Sequence, residues 1–482
     1  MFFRILSKNI VINRGYSMAH YFGTDGFRGE ANRELTARHA FQIGRFLGWY
    51  YGEKTGGRAR IVIGKDTRRS GYMLEYAIAS GLCASGADAH ILHVITTPGV
   101  SFVTRTEDFQ CGVMISASHN VFSDNGIKLV NGNGEKMDDE TIRLLEAYLD
   151  GDMAAIGMAG CEDLPLPTGE AIGRVVDHVA GRNRYIGYLI SLSAHSFKSL
   201  RVGLDCANGS AWMIARSVFE ALGARVYLMG DSPDGVNINR GVGSTHPEAL
   251  QKFVRERGLH VGFAFDGDAD RCIAVDERGE LVTGDHILYI FGKSLASRGM
   301  LTGNTVVTTV MSNLALYRAL DEAGIRTEKT DVGDRFVWEC MAKNGYEVGG
   351  EQSGHIILKK YATTGDGVLT AIKLTEEMLE SKTTLSYLAS PVVFCPQVLK
   401  NLRVPDKKRV TGNPEVRELV KKINDRLGND GRILLRESGT EPVVRVMAEA
   451  GDRATCEKLT DEVIACIRRL GLDKDANEVG RE

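Results

Sequence analysis

One local pattern recurs three times along the 482-residue chain and limits its architecture more than any other feature. A β-branched run, a short polar loop, an amphipathic stretch stopped by glycine and a second strand-like run together spell a βαβ unit. The first copy runs from Arg60 to Gly64, through a helix near Tyr72 to Ala84 stopped at Gly86, to a strand from Ala89 to Val94. In the second, Arg201 to Asp205 leads through a helix closed at Gly223 to Arg225 to Met229. In the third, Thr305 to Val310 leads through a helix closed at Gly324 to Ile325 to Lys329. The last part breaks the pattern. Gln397 to Val404, a helix from Pro414 to Leu427, Gly431 to Arg436, Pro442 to Ala450 and a final helix from Ala454 to Leu470 predict an α+β unit.

The expected fold is three related α/β domains with mixed, βαβ-containing sheets, followed by a C-terminal α+β domain. Breaks in the Gly/Pro-rich stretch Leu164 to Gly169, the turn Glu277 to Gly279 and the pair Ser390-Pro391 divide the chain into 18–167, 168–279, 280–391 and 392–482. Four domains suit the length, at a prior of about 150 residues each. Residues 1 to 17 carry Arg4, Lys8 and Arg14 with no acid, the composition of a weak organelle-type presequence, with a misassigned start upstream of Met18 as the alternative.

Composition closes several doors. A net charge of −3 supplies no broad basic field, so no nucleic-acid partner is expected. The nine cysteines form no C-x-x-C pair, which argues against a zinc module or disulfide framework and for reduced thiols in the cytoplasm. No apolar run approaches the roughly 20 residues a membrane span needs, so no membrane association is expected. Glycine is abundant at 55 residues against 10 prolines, so many loops can approach a neighbour or ligand with bare backbone.

Parallel α/β units bind ligands beyond the carboxyl ends of their strands, and four loops there carry chemistry. The run Cys111 to Ile115 delivers Ser116-Ala117-Ser118-His119-Asn120, where a nucleophilic serine would sit near His119 and Lys128 as proton-transfer groups. A Ser/Asn-rich turn is the plain alternative. The strand Val261 to Phe265 ends in Asp266-Gly267-Asp268-Ala269-Asp270-Arg271, whose alternate carboxylates suit a hard cation such as magnesium that leaves positions for phosphate oxygens. An EF-hand is strongly disfavoured, because Arg271 stands where that loop needs glycine and strand-like runs flank it, and a solvated acidic turn is the plain alternative. Gly349-Gly350-Glu351-Gln352-Ser353-Gly354-His355 mixes acceptors and donors suited to sugar hydroxyls, or forms a structural hairpin. Arg436-Glu437-Ser438-Gly439-Thr440-Glu441-Pro442 has a phosphate-binding composition that also fits an exposed turn, and Arg445 adds a second cation.

Taken in order, these loops closely resemble those of the α-D-phosphohexomutase superfamily from about Met18 to about Leu470. With Gly23-Thr24-Asp25-Gly26-Phe27-Arg28-Gly29 added, the chain is most similar to the bacterial branch acting on glucosamine phosphate. The resemblance implies four domains around a central cleft and an intramolecular phosphotransferase that interconverts glucosamine 6-phosphate and glucosamine 1-phosphate, supplying UDP-N-acetylglucosamine synthesis. Ser118 would carry the phosphoryl group, and one Mg2+ per chain would be held by Ser118, Asp266, Asp268 and Asp270. Arg28, His119, Lys128 and Arg271 would complete the transfer site. Glu351, Ser353 and His355 would contact the sugar, while Arg436, Ser438, Gly439, Thr440 and Arg445 would grip the non-reacting phosphate. A sugar bisphosphate would be both intermediate and activator, and the protein a monomer or homodimer. Phosphomannomutase or phosphoglucomutase activity with the same mechanism, a phosphatase, and a non-catalytic sugar-phosphate sensor are the alternatives. One departure stands out: Val121 replaces the proline usual after Ser-His-Asn in the superfamily.

Overall fold

The computed structural model describes residues 21–473 apart from Thr24 and residues 439–441; the extension 1–17 lies outside the described residues. Four sheets follow one another along the chain. The first has the strand order Phe22–Gly23, Gly26–Glu30, Asp124–Asn131, Cys111–Ile115, Arg60–Lys65, Asp88–Val94, Val175–Asp177. The second runs Leu281–Val282, Cys272–Val275, Val261–Phe265, Arg201–Asp205, Arg225–Met229. The third runs Ile356–Leu358, Val348–Gly350, Thr305–Thr309, Arg326–Thr330. Each holds the same unit of three parallel strands, with an antiparallel strand added beside the third in sequence. Their mixed pairing is what the repeated βαβ pattern and the strand-like runs after it predict.

This repetition positions the site. The loops holding Ser118, Asp266 to Arg271 and Glu351 to His355 are topologically equivalent, since each joins a parallel strand to its antiparallel neighbour. The fourth sheet is antiparallel, Gln397–Arg403, Val443–Glu449, Arg432–Glu437, and packs against the helices Pro414–Leu427 and Arg453–Arg469. One apolar core joins a face of the first sheet to the second and third domains. The fourth sheet has a core of its own.

Two strands cross the boundaries drawn from sequence. Val175–Asp177 follows the break at 167/168 yet pairs with Asp88–Val94 at the edge of the first sheet. Leu281–Val282 follows the break at 279/280 yet pairs with Cys272–Val275, because the turn at Gly279, with φ +84°, closes a hairpin instead of a linker. Turn residues look alike in both settings.

Candidate active site

Cys111–Ile115 is wholly buried between Arg60–Lys65 and Asp124–Asn131, and it releases the chain into the Ser118 loop. Ser118 takes a left-handed backbone conformation, φ +51°, which a non-glycine residue keeps only where its surroundings enforce it. Its N–H donates to Ser116 Oγ at 2.9 Å, and its Oγ donates to Asp266 Oδ2 at 2.5 Å. A side chain on Gly267 would place Cβ 2.5 Å from the Ser118 carbonyl oxygen, so the close approach of the two loops requires glycine there.

Asp266, Asp268 and Asp270 are buried, with one oxygen from each within 4.8 Å of the others. Asp268 Oδ1 and Asp270 Oδ1 are buried without a hydrogen-bond partner, and that all-oxygen set fits a hard divalent cation. Thr97 Oγ1 donates to Asp268 Oδ2 at 2.5 Å. Lys128 Nζ reaches Asp268 Oδ2 at 2.7 Å and Asp270 Oδ2 at 3.3 Å. Burial opposes charge on Lys128, but Asp268, Asp270 and Asp25 outweigh it and raise its pKa. Burial likewise opposes charge on Asp270, yet Lys128, His355 and Arg271 bring it to about 2. Asp266 moves the other way, pushed well up by burial and by the Asp270 and Asp268 charges, against which the Arg271 charge and the hydrogen bond from the Ser118 hydroxyl favour its ionised form. Burial and the nearby Arg271 and Arg28 lower His119 to about 4, so its imidazole is neutral at pH 7, with Nδ1 3.3 Å from Ser118 Oγ.

Arg28, in Gly26–Glu30, pairs with Asp25, and its Nε is buried without a hydrogen-bond partner, as is Arg271 Nε, which lies 3.9 Å from Asp270 Oδ1. The Glu351 loop is a tight hairpin: Glu351 N–H donates to His355 O and Gly354 N–H to Glu351 O. The structural hairpin offered by the sequence is therefore present. Cys272 N–H donates to Gly354 O, tying this loop to the strand after the aspartates. Glu351 Oε1 accepts from Gly333 N–H at 3.2 Å, and Ser353 Oγ is buried without a partner. His355 is buried, its Nε2 accepting from Gly365 N–H at 2.8 Å and its Nδ1 3.8 Å from Asp270 Oδ2. Arg436 and Arg445 stand opposite each other on paired strands, and burial followed by Arg445's charge lowers the Arg436 pKa. Such a pair of guanidinium groups favours an intervening dianion. Ser438 is buried, its carbonyl accepting from Lys407 Nζ at 2.5 Å; Gly439 and Thr440 lie outside the described residues.

Sequence reasoning missed Thr97 and a chain of charges from domain to domain. Lys136 Nζ lies 3.3 Å from Asp25 and 2.6 Å from Asp334, and Asp334 lies 3.7 Å from His355. A cavity of about 430 Å³ beside the carboxylates is lined by Asp25, Thr97, Lys128, Lys136, Asp270 and Asp334, among others. The position of Asp334 just after Gly333, beyond the third βαβ unit, was the available signal.

Comparison with known proteins finds the same order of four domains. The phosphoglucomutase/phosphomannomutase family models match in order: alpha/beta/alpha domain I at residues 19–155, domain II at 183–279, domain III at 283–393 and the C-terminal domain at 399–465. A phosphoglucosamine mutase of Lachnospira eligens is 61% identical over 94% of this chain and 99% of its own. A phosphoglucomutase/phosphomannomutase family protein from Burkholderia thailandensis has the same fold, with a TM-score of 0.75 at 24% identity over 93% of this chain and 97% of that one. So does the N-acetylphosphoglucosamine mutase of Aspergillus fumigatus, solved with GlcNAc-6P and magnesium, with a TM-score of 0.68 at 17% identity over 94% and 96%. Four consecutive domain models and a relative that alike across nearly its whole length make this chain a member of the phosphoglucomutase/phosphomannomutase family, within the α-D-phosphohexomutases.

Proposed function

We propose that the protein is a phosphoglucosamine mutase that interconverts glucosamine 6-phosphate and glucosamine 1-phosphate through a phosphorylated Ser118 and a sugar bisphosphate. The observation that carries this reading is the Ser118 Oγ hydrogen bond to Asp266, at the edge of three buried carboxylates. The identity to the Lachnospira eligens protein supplies the choice of sugar.

Asp266, Asp268 and Asp270, with an oxygen on Ser118, would hold the metal. Bound there, a magnesium ion would supply positive charge to offset that of the transferring phosphoryl group. Arg28 and Arg271 bring guanidinium donors to the same group. Lys128, held as an ammonium by Asp268 and Asp270, balances their negative charge and is poorly suited to be a base while so paired. His119 Nδ1, a neutral imidazole nitrogen beside Ser118 Oγ, is placed to take the proton of the attacking sugar hydroxyl and pass it to Ser118 Oγ as the bond to phosphorus breaks, and to reverse that path when the serine is rephosphorylated. Glu351 and Ser353 bind sugar hydroxyls, and His355, fixed by Gly365, orients that loop. Arg436, Arg445 and Ser438 grip the phosphate that is not reacting. Because either phosphate of the bisphosphate can be returned to Ser118, the sugar must bind in two orientations in one cleft.

The test is conversion of glucosamine 6-phosphate, mannose 6-phosphate and glucose 6-phosphate with magnesium and a trace of glucose 1,6-bisphosphate, for wild type and Ser118→Ala. A strong preference for the amino sugar, abolished by Ser118→Ala, is expected. Equal or better turnover of the neutral sugars moves the protein to phosphomannomutase or phosphoglucomutase activity. Free phosphate released as fast as isomer forms makes it a phosphatase.

A further inference from the structure

Arg68 lies on the turn after the strand Arg60–Lys65 and is completely buried. A guanidinium offers five N–H donors, and every one is used. Nε donates to Asp66 Oδ2 at 2.8 Å. Nη1 donates to the carbonyls of Val121 and of Asp124, the latter at 3.0 Å, and Nη2 to those of Ser118 at 3.0 Å and Asn120 at 2.8 Å. Four of the five bonds therefore end on one short irregular stretch, the loop that holds the nucleophile.

Two further grips converge on that loop. From the second domain, Asn239 Nδ2 donates to the same Ser118 and Asn120 carbonyls, at 2.9 and 3.0 Å. On the other side of Arg68, Asp66 Oδ2 accepts from Ser116 Oγ at 2.7 Å, and that hydroxyl accepts the Ser118 N–H. The backbone of Ser118 is thus held at both its N–H and its C=O, while its Oγ is left to Asp266. The turn bearing Arg68 is itself anchored across the domain seam, by Thr67 Oγ1 to Asn208 O at 2.6 Å and Arg69 N–H to Gly235 O at 2.9 Å. A left-handed serine with so many independent restraints is a position that its surroundings over-determine.

We infer that Arg68, assisted by Asn239, is the positioning residue for the nucleophile: its guanidinium sets the backbone of the Ser118 loop so that Oγ faces the aspartates, without touching the reacting group. This rests on Ser118 being the phosphoryl carrier. A buried arginine that only stabilised the fold would lower the amount of folded protein and leave turnover per folded molecule unchanged. A positioning role lowers kcat and spares KM, because the sugar-binding loops belong to the third and fourth domains.

The experiment compares full-length wild type, Asn239→Ala and Arg68→Lys, each with and without Val121→Pro, for kcat and KM on glucosamine 6-phosphate and for thermal midpoint. Lysine has three donors and cannot cover four carbonyls, so Arg68→Lys should lose about 100-fold in kcat with KM within about threefold. Asn239→Ala should lose about tenfold with KM likewise unchanged, and it decides the matter if Arg68→Lys does not fold. Val121→Pro, which fixes φ inside the loop, should restore about threefold or more of what Asn239→Ala loses while leaving wild type little changed. Folded variants with wild-type kcat, a KM that rises in step, or no recovery by proline would overturn the inference while wild type remains active. A wild type inactive on every hexose phosphate contradicts the functional reading and removes the inference with it.

Discussion

Lys128 pairs with Asp268 and Asp270, two of the three carboxylates whose oxygens lie close enough together to hold a divalent cation, so the ammonium and such a cation would compete for the same oxygens. Removing the ammonium while keeping the bulk should leave those carboxylates more available, so Lys128→Met is expected to bind Mg2+ at least as tightly as wild type in a calorimetric titration. Weaker binding would show that Lys128 organises the carboxylates instead of competing for them. Val121 is exposed and supplies no reacting atom, and its carbonyl is already held by Arg68. Val121→Pro should accordingly change wild-type turnover by less than about tenfold, roughly 1.4 kcal/mol of barrier. At this scale several residues could be placed from the motifs that hold them. Ser118, the three aspartates and Arg271 converge as their strand-end positions predicted. Arg68 and Asp66 occupy an equally favoured strand end, but a charged pair on a turn carries no composition that separates a buried clamp from a solvated surface. Lys136 and Asp334 were hidden for a different reason: they meet only because two domains meet.

Among the elements, the helix Gly367–Ser381 shows how a cap can couple domains. Asp366 caps it by accepting from Leu369 N–H at 2.9 Å and also accepts from the Tyr185 hydroxyl at 2.7 Å, on the helix that leads into the second domain. Burial raises its pKa from 3.8 to about 6, so the folded state holds this proton more tightly than the unfolded chain does. The stabilisation from that linkage is complete below the unfolded pKa and is lost as pH rises through about 6. Asp366→Asn should therefore flatten the decline in urea stability between about pH 4 and pH 7, and an unchanged slope would contradict the assignment. Strand and helix periodicity made most elements readable before any coordinates: Arg201–Asp205, Arg225–Met229 and Pro414–Leu427 lie where the pattern put them. Val175–Asp177 and Leu281–Val282 escaped because strands of three and two residues show no period, and their pairing is decided by the sheet edge they meet.

Over the whole molecule, the first three domains share a core while the fourth is joined largely by polar contacts. Glu449 is completely buried and accepts from Arg432 Nε at 2.7 Å, Asn313 Nδ2 at 3.2 Å and Leu314 N–H at 3.0 Å. Arg432 also donates to the carbonyls of Val310 and Ser312 in the third domain. Arg432→Met would leave a buried carboxylate short of its counter-charge, a loss of about 3 kcal/mol or more. The expected result is an earlier thermal transition and, with Ser118 as the phosphoryl carrier proposed above, a higher ratio of free phosphate to isomer, as water reaches that group more easily when the fourth domain is held less firmly; unchanged values for both would show these contacts to be dispensable. The three-fold repetition was visible in the sequence, and its functional consequence became visible only in three dimensions. Three equivalent strand-to-strand loops bring Ser118, the three aspartates and the hairpin from Glu351 to His355 together, and no single repeat contains that convergence.

The most direct test of the account is to find the phosphoryl group. Wild type incubated with glucose 1,6-bisphosphate and magnesium should gain the mass of one phosphoryl group, mapped by peptide sequencing to Ser118 and removed by a chase with glucosamine 6-phosphate that yields the sugar bisphosphate. A phosphoryl group on another residue, or turnover of glucosamine 6-phosphate with Ser118 never phosphorylated, would contradict it.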